Sequence, residues 1–243
     1  MLLLRSLLFA VGAWLVLLVI AALGMLTWPL PFAIRFRVIS QWARFNVWWL
    51  TKTCHVNYEI IGRENIPAGN GIVLCKHQST WETLILQQIF PLQVWLLKRE
   101  LLWVPVFGWA LALLEPIAID RGSGRKAMQQ LIDQGKRKLA QGRWVIIYPE
   151  GTRTAPGSKG RYAPGGAILA EHSGYPVVPI AHNAGEFWPR RKFIKRPGTI
   201  KLVIGPAIAT QGRKAQDINA EVEAWIEGVM AEITTSPPLG DER

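Results

Sequence analysis

Cysteine is scarce in these 243 residues: Cys54 and Cys75 have neither the number nor the spacing of a disulfide framework or a zinc site. Both read as free thiols in a reducing compartment, and Cys75, closing the apolar run GIVLC, reads as a core residue. Acidic residues are missing from the first fifty positions, which hold four arginines and no lysine. Between Ser6 and Ile34 there is no charge of either sign. Internal repeats and low-complexity segments are absent as well, which excludes solenoid and linker-like architectures.

What is present is a chain long enough for one good-sized domain plus an appendage. A formal charge of +11 with half the residues hydrophobic points to an anionic surface or substrate in contact with an apolar phase. Nucleic acid is the other usual partner of such a charge. It is not expected here, because the basic residues share the chain with a lipid-length apolar run and match no standard reader.

That run, SLLFAVGAWLVLLVIAALGMLTW, is long enough to cross a hydrocarbon core of roughly 30 Å and shows no polar face. A cleaved signal peptide fits poorly, since the run exceeds a signal core and TWPLPF lacks a small-x-small site. Trp28, Pro29 and Pro31 read as an interfacial belt and a turn. Beyond them, Val38, Trp42, Phe45 and Trp49 recur at helical spacing. The implied amphipathic helix either lies in the lipid interface or packs on the main domain. Arg5, Arg35, Arg37 and Lys52 flank the apolar run on both sides, so charge bias does not fix a crossing. A hairpin dipping into one leaflet accounts for both flanks. The expected division is therefore residues 1–54 as membrane-anchoring helices and 55–243 as a second domain.

From His55 onward, short apolar strands alternate with helical stretches. VNYEII, GIVLCK, VWLLK, PIAID, WVIIYP, PVVPIAH and IKLVIG read as strands, with helices at TWETLILQQI, VFGWALALL, GRKAMQQLIDQGKRKLAQG and GGAILAEHSG. A last helix, AQDINAEVEAWIEGVMAEITT, precedes the polar tail SPPLGDER. This alternation predicts an α/β fold with a mostly parallel, mixed sheet flanked by helices, preceded by the hydrophobic N-terminal segment.

In such sheets chemistry gathers where strands end. KHQSTWE places His77 directly after GIVLC, with Glu82 five residues on. Inside one helix that spacing turns the side chains about 140° apart. Ser79 to Glu82 reads S-x-x-E, a capping box, which leaves His77 outside the helix and free to fold back on Glu82. Either the pair is a proton-transfer dyad, or Glu82 only caps and His77 is a turn histidine. A zinc site is weaker still, because the spacing is not H-E-x-x-H and no third ligand is evident. YPEGTRT brings Glu150, Gly151, Thr152 and Arg153 to a second strand end, where glycine, hydroxyl and guanidinium suit an anion. It lacks the G-K-[ST] ending of a Walker loop, and alone it is equally a turn with a solvated arginine. PIAIDR ends a third strand at Arg121, alone no more than a surface charge.

Taken in order, these stretches resemble the glycerolipid acyltransferase family, and within it the 1-acylglycerol-3-phosphate acyltransferases of bacteria. That family carries H-x4-D/E, an arginine motif F-x-x-R, an E-G-T-R block and a late V-P-x segment. Here they stand as His77 with Glu82, AIDR with Arg121, PEGTR, and VVPI with Pro179. LKRELLWVPVFGWAL also looks like the family's stretch between the first two blocks, and the likeness covers roughly residues 55 to 210. Three departures stand out. Glu82 replaces the commoner Asp, Ala118 takes the place of an aromatic, and RYAPGGA has no lysine before its glycines, leaving Arg161 to supply that charge.

The resemblance implies transfer of a fatty acyl group from acyl-CoA or an acyl carrier protein to the sn-2 hydroxyl of lysophosphatidic acid. The runner-up acceptor is another lysolipid such as lyso-ornithine lipid. His77 would be the general base and Glu82 its orienting acid, with no covalent acyl-enzyme. Backbone N–H groups at the start of the next helix are the candidate oxyanion donors. Arg121, Arg153 and Lys98 would grip the phosphate, Glu150, Gly151 and Thr152 would shape its pocket, and Pro179 would serve the acyl pocket or the sheet. No cofactor or metal is expected. The expected setting is the bacterial inner membrane, with the catalytic domain on the cytoplasmic side. The strip EFWPRRKFIKRPGTIK, which carries six basic residues, fits lipid headgroups or coenzyme A phosphates, or is a solvated charge run.

Overall fold

The computed structural model describes residues 1–120, 122 and 124–235. Arg121 and the whole of the tail SPPLGDER, both singled out above, lie outside the described residues. The chain opens with helix α1 (Leu2–Leu26) and, after a turn at Thr27–Pro31, helix α2 (Phe32–Cys54). Pro31 stands just before the first turn of α2, a place where its missing N–H costs nothing. The two helices form a hairpin, tied where the indole N–H groups of Trp42 and Trp49 donate to the carbonyls of Ala13 and Leu8.

Seven strands follow, each where the apolar runs predict one: β1 (Val56–Ile61), β2 (Ile72–Cys75), β3 (Gln93–Lys98), β4 (Ile117–Ile119), β5 (Trp144–Ile147), β6 (Val177–His182) and β7 (Gly198–Ile204). The helices between and after them are α3 (Trp81–Ile89), α4 (Phe107–Ala112), α5 (Arg125–Ala140), α6 (Gly165–Ser173), the short α7 (Ala184–Phe187) and α8 (Ala215–Ile233). Among the described residues the seven strands form one sheet in the order β1-β7-β6-β2-β5-β3-β4. Every pairing is parallel except β6 with β7. The sheet is thus mixed and mostly parallel.

Side chains alternate across this sheet as a period of two requires. Val73, Cys75, Ile146, Val178 and Ile180 face α2 and α3, against Val47, Leu50, Trp81 and Ile85. Ile72, Leu74, Val145, Ile147 and Val177 face the other way, against Leu131, Leu169, Ile218, Val222 and Ile226 of α5, α6 and α8. Both cysteines are free and buried, and burial pushes the Cys75 thiol up, away from the reactive thiolate.

The α2 stripe differs from its sequence reading. Phe36, Ile39, Ala43, Val47, Leu50 and Cys54 are buried and share a core with the sheet, whereas Trp42 and Trp49 turn toward α1. Two apolar faces, one for the sheet and one for α1, replace the single lipid-facing stripe. Phe9 of α1 belongs to the same core, so the boundary at residues 54 and 55 separates kinds of secondary structure rather than two cores. The outward side of α1, including Leu3, Leu4, Trp14, Leu15 and Val19, stays exposed. By length and composition α1 can cross a membrane.

An ion cluster clamps α2 to the rest. Glu115 pairs with Arg35 of α2, and accepts from Lys138 of α5 at 2.8 Å and from Arg143 at 2.7 Å. Arg143 in turn lies 3.6 Å over the Phe32 ring. Burial pushes the Glu115 carboxyl up, but the three cations outweigh it and bring it down to about 2.

Candidate active site

Helix α3 begins at Trp81, so His77 sits in the turn between β2 and the helix and is free of helical geometry. Its Nδ1 lies 2.8 Å from Glu82 Oε1. The same carboxylate also closes the capping arrangement, accepting the N–H groups of Gln78 at 3.0 Å and Ser79 at 2.9 Å. Ser79 Oγ answers by accepting from the Trp81 N–H at 3.2 Å. Capping and pairing, alternatives in the sequence, are here two duties of one side chain.

Every contact around this turn narrows the freedom of His77. Its N–H donates to Glu150 Oε2 at 2.9 Å, and its carbonyl accepts the Thr154 N–H at 2.8 Å. The Tyr148 ring stacks on the imidazole, centroids 4.1 Å apart and planes 19° from parallel. Glu82 is fully buried. Burial pushes its carboxyl up, but the imidazoles of His182 and His77 and the Ser79 N–H together hold it below the ordinary value, so it is ionised. With an ionised acceptor at Nδ1, that nitrogen carries the hydrogen and Nε2 keeps its lone pair.

His77 lines a cavity of about 550 Å³. Lys98, Thr152, Arg153, Arg190 and Arg191 contribute polar wall, and Leu17 and Ala21 of α1, Ile39 and Trp42 of α2, and Phe107 and Leu111 of the α4 region contribute apolar wall. Arg153 Nε is buried with no hydrogen-bond partner among the described residues, and the Arg153 carbonyl accepts from Arg190 at 2.9 Å. The arrangement offers a proton acceptor, guanidinium groups for an anion and an apolar surface for a hydrocarbon chain, all in one space.

The acyltransferase family model matches residues 57–183. The chain is 49% identical to the 1-acyl-sn-glycerol-3-phosphate acyltransferase of Pseudomonas aeruginosa, over 84% of this chain and 81% of that protein. It belongs to the acyltransferase family. A more distant relative, the human 1-acyl-sn-glycerol-3-phosphate acyltransferase beta, is 30% identical over 63% of this chain and 55% of its own length. In fold, the acyltransferase is similar to the crystal structure of a 1-acyl-sn-glycerophosphate acyltransferase from Thermotoga maritima, with a TM-score of 0.79, 21% identity and 97% of each chain covered.

Within this acyltransferase, the E-G-T-R block splits in two. Gly151, at a φ of +67° that glycine tolerates, turns the chain so that Gly151, Thr152 and Arg153 line the cavity. Glu150 does not join them. Its side chain is fully buried behind the turn, with Oε1 on Lys76 Nζ at 2.8 Å and on the Gly160 N–H at 3.1 Å. It supports the His77 backbone and is not part of the cavity lining, its oxygens being engaged by Lys76 and by the His77 and Gly160 N–H groups. Pro179 is buried in β6 opposite Leu74 and holds the sheet, away from the cavity lining. Lys98 ends β3 at the cavity wall, while Arg161 is exposed elsewhere. Oxyanion donors are expected among the backbone N–H groups at the start of the helix after His77; the Trp81 N–H there, and those of Gln78 and Ser79 just before it, are already engaged.

Sequence reasoning missed Lys76, Tyr148, His182 and Glu227 around this site. Lys76 gave a signal: a lysine between IVLC and His77 must be buried, and a buried ammonium needs counter-charge. It finds Glu150 and, at 2.9 Å, Glu227 of α8, which also accepts from Tyr162 at 2.7 Å. The other three gave no local signal.

Proposed function

We propose that the chain transfers a fatty acyl group from an acyl thioester, of coenzyme A or acyl carrier protein, to the sn-2 hydroxyl of 1-acylglycerol-3-phosphate, yielding phosphatidic acid for phospholipid synthesis. The observation that carries this reading is the 2.8 Å His77–Glu82 pair on a cavity that also holds the Arg153 guanidinium, whose buried Nε has no hydrogen-bond partner among the described residues. His77 Nε2 takes the proton from the acceptor hydroxyl as its oxygen attacks the thioester carbonyl carbon. Glu82 stabilises the resulting imidazolium and keeps the ring oriented. The tetrahedral intermediate collapses, the carbon–sulfur bond breaks, and the thiolate leaves with the proton returned from His77. Arg153, with Lys98, Arg190 and Arg191 on the same wall, balances the acceptor phosphate, and the apolar wall takes an acyl chain. Arg121 is assigned to the same phosphate by family resemblance alone.

The membrane reading rests on the exposed side of α1 and on the charge of +11. α1 touches the domain near both ends: Ser6 Oγ accepts the Lys195 N–H near one, and Gly24 lies close to Leu113 near the other. Such a helix is immersed in one leaflet rather than crossing on its own. The expected setting is the cytoplasmic face of a bacterial inner membrane, where the cavity meets lysolipids.

A panel of lysolipids with labelled thioester donors, read by product mass, tests the assignment. Turnover is expected with the phosphorylated acceptor and little with lyso-ornithine lipid. Arg153→Ala should raise KM for the phosphorylated acceptor about ten- to hundredfold, the scale of one charge-assisted contact, without a matching change for neutral acceptors. Equal use of both acceptors, or equal loss with both, would contradict the phosphate reading.

A further inference from the structure

Two imidazoles flank Glu82, and the second is remote from the cavity lining. His182, the last residue of β6, is fully buried. Its Nδ1 accepts the Ala184 N–H at 3.2 Å, so the hydrogen of the neutral ring sits on Nε2. That N–H donates to the Lys76 carbonyl at 2.8 Å, and Nε2 lies 3.8 Å from Glu82 Oε2. Protonating the ring would set an Nδ1 hydrogen against the Ala184 N–H, two donors facing each other in a fully buried site. Glu82 from α3, His77 from the turn and Glu150 from the end of β5 are the ionisable groups that bear on it. Trp81 packs against its ring, edge to face at 6.3 Å.

We infer that His182 is a positioning residue for acyl transfer, held as a neutral Nε2–H tautomer that fixes the Lys76–His77 peptide and steers Glu82. The peptide bond it grips is the one that leads into His77, so the donor at Nε2 sets where the catalytic ring begins. The same Nε2 lies 3.8 Å from Oε2, near enough for the ring to bias that oxygen while Oε1 stays on His77 Nδ1. Without it, both the ring and its orienting carboxylate gain room to rotate. An apolar filler of similar size would preserve packing and lose both effects. The inference rests on His77 being the base, as proposed above.

Three substitutions separate these roles. His182→Gln places an amide N–H where Nε2–H stands; His182→Leu fills the space without a donor; His182→Asn satisfies Ala184 but falls short of Lys76. Leu and Asn should lower kcat about ten- to hundredfold with both KM values nearly unchanged, the penalty expected of a slightly misplaced catalytic group, and Gln should recover most of the rate. The downfield proton signal of the His77–Glu82 hydrogen bond, recorded in detergent on the full chain, should persist in the Gln protein and shift or vanish in the other two. Should Leu not fold, Asn and Gln carry the same contrast. The inference is overturned if Leu or Asn keeps the unaltered rate, or if Gln loses as much as they do with the His77 signal unmoved. If His77→Ala, assayed alongside, keeps turnover, both readings fall; if it loses turnover while His182→Leu keeps it, the positioning role alone falls.

Discussion

At the scale of residues, one carboxylate at the candidate site does two things. Glu82 caps α3 through the N–H groups of Gln78 and Ser79 and holds His77 through Nδ1. Glu82→Gln keeps the shape but presents a neutral amide where a strong acceptor stood, so kcat should fall about 10²- to 10⁴-fold with KM little changed, read by initial rates at saturating thioester. The S-x-x-E spacing made this pair legible, since it placed the helix start beyond His77 and put both side chains on the same turn. The fate of Glu150 was not legible. Adjacency in E-G-T-R implies a shared ligand, yet the turn at Gly151 sends Glu150 behind His77 and Arg153 into the cavity. Only the position of Lys76, a cation at the end of an apolar strand, hinted that a buried acid was needed.

At the scale of elements, the strands were readable because buried parallel strands are short, unbroken apolar runs bounded by turns. α2 was readable as a helix but not as a helix with two apolar faces, because periodicity shows which residues are apolar and not how many neighbours await them. The Glu115 cluster binds α2 to α5 and the start of β5, and it was invisible in sequence because Arg35, Lys138 and Arg143 lie far from Glu115 along the chain. Its carboxyl is depressed from 4.5 to about 2, so its contribution is full above the ordinary carboxylate range and is lost as pH falls through that interval. Glu115 is partly solvated, so the contribution is about 1 kcal/mol. Urea midpoints of the unaltered protein and Glu115→Gln should differ at pH 6, differ less at pH 3, and converge only as the pH falls below about 2. A gap that stays constant, or widens, would show that the cluster does not stabilise through its charge.

At the scale of the whole molecule, the cavity is built jointly by the N-terminal hairpin and the α/β domain. Leu17 and Ala21 of α1 stand in its wall together with His77 and Arg153. No sequence motif carried this: the motifs mark strand ends, while the apolar wall comes from segments chosen for hydrophobicity alone. The hairpin is therefore part of the cavity wall as well as the bearer of the exposed apolar side of α1. Ala21→Trp, which adds bulk to the wall, should reduce kcat/KM for long-chain thioesters or lysolipids relative to short-chain ones, measured with a chain-length series in mixed micelles. An unchanged chain-length profile would place the acyl chains outside this cavity.

The dyad remains the point on which the rest turns, and turnover of His77→Ala addresses it without intermediaries. With protein shown to be folded and lipid-bound, steady-state formation of phosphatidic acid from 1-acylglycerol-3-phosphate and an acyl thioester should drop by about 10²- to 10⁴-fold or more, the range for loss of a general base. Product formation near the unaltered rate would mean that some other group takes the proton and that the His77–Glu82 pair is only a well-capped turn.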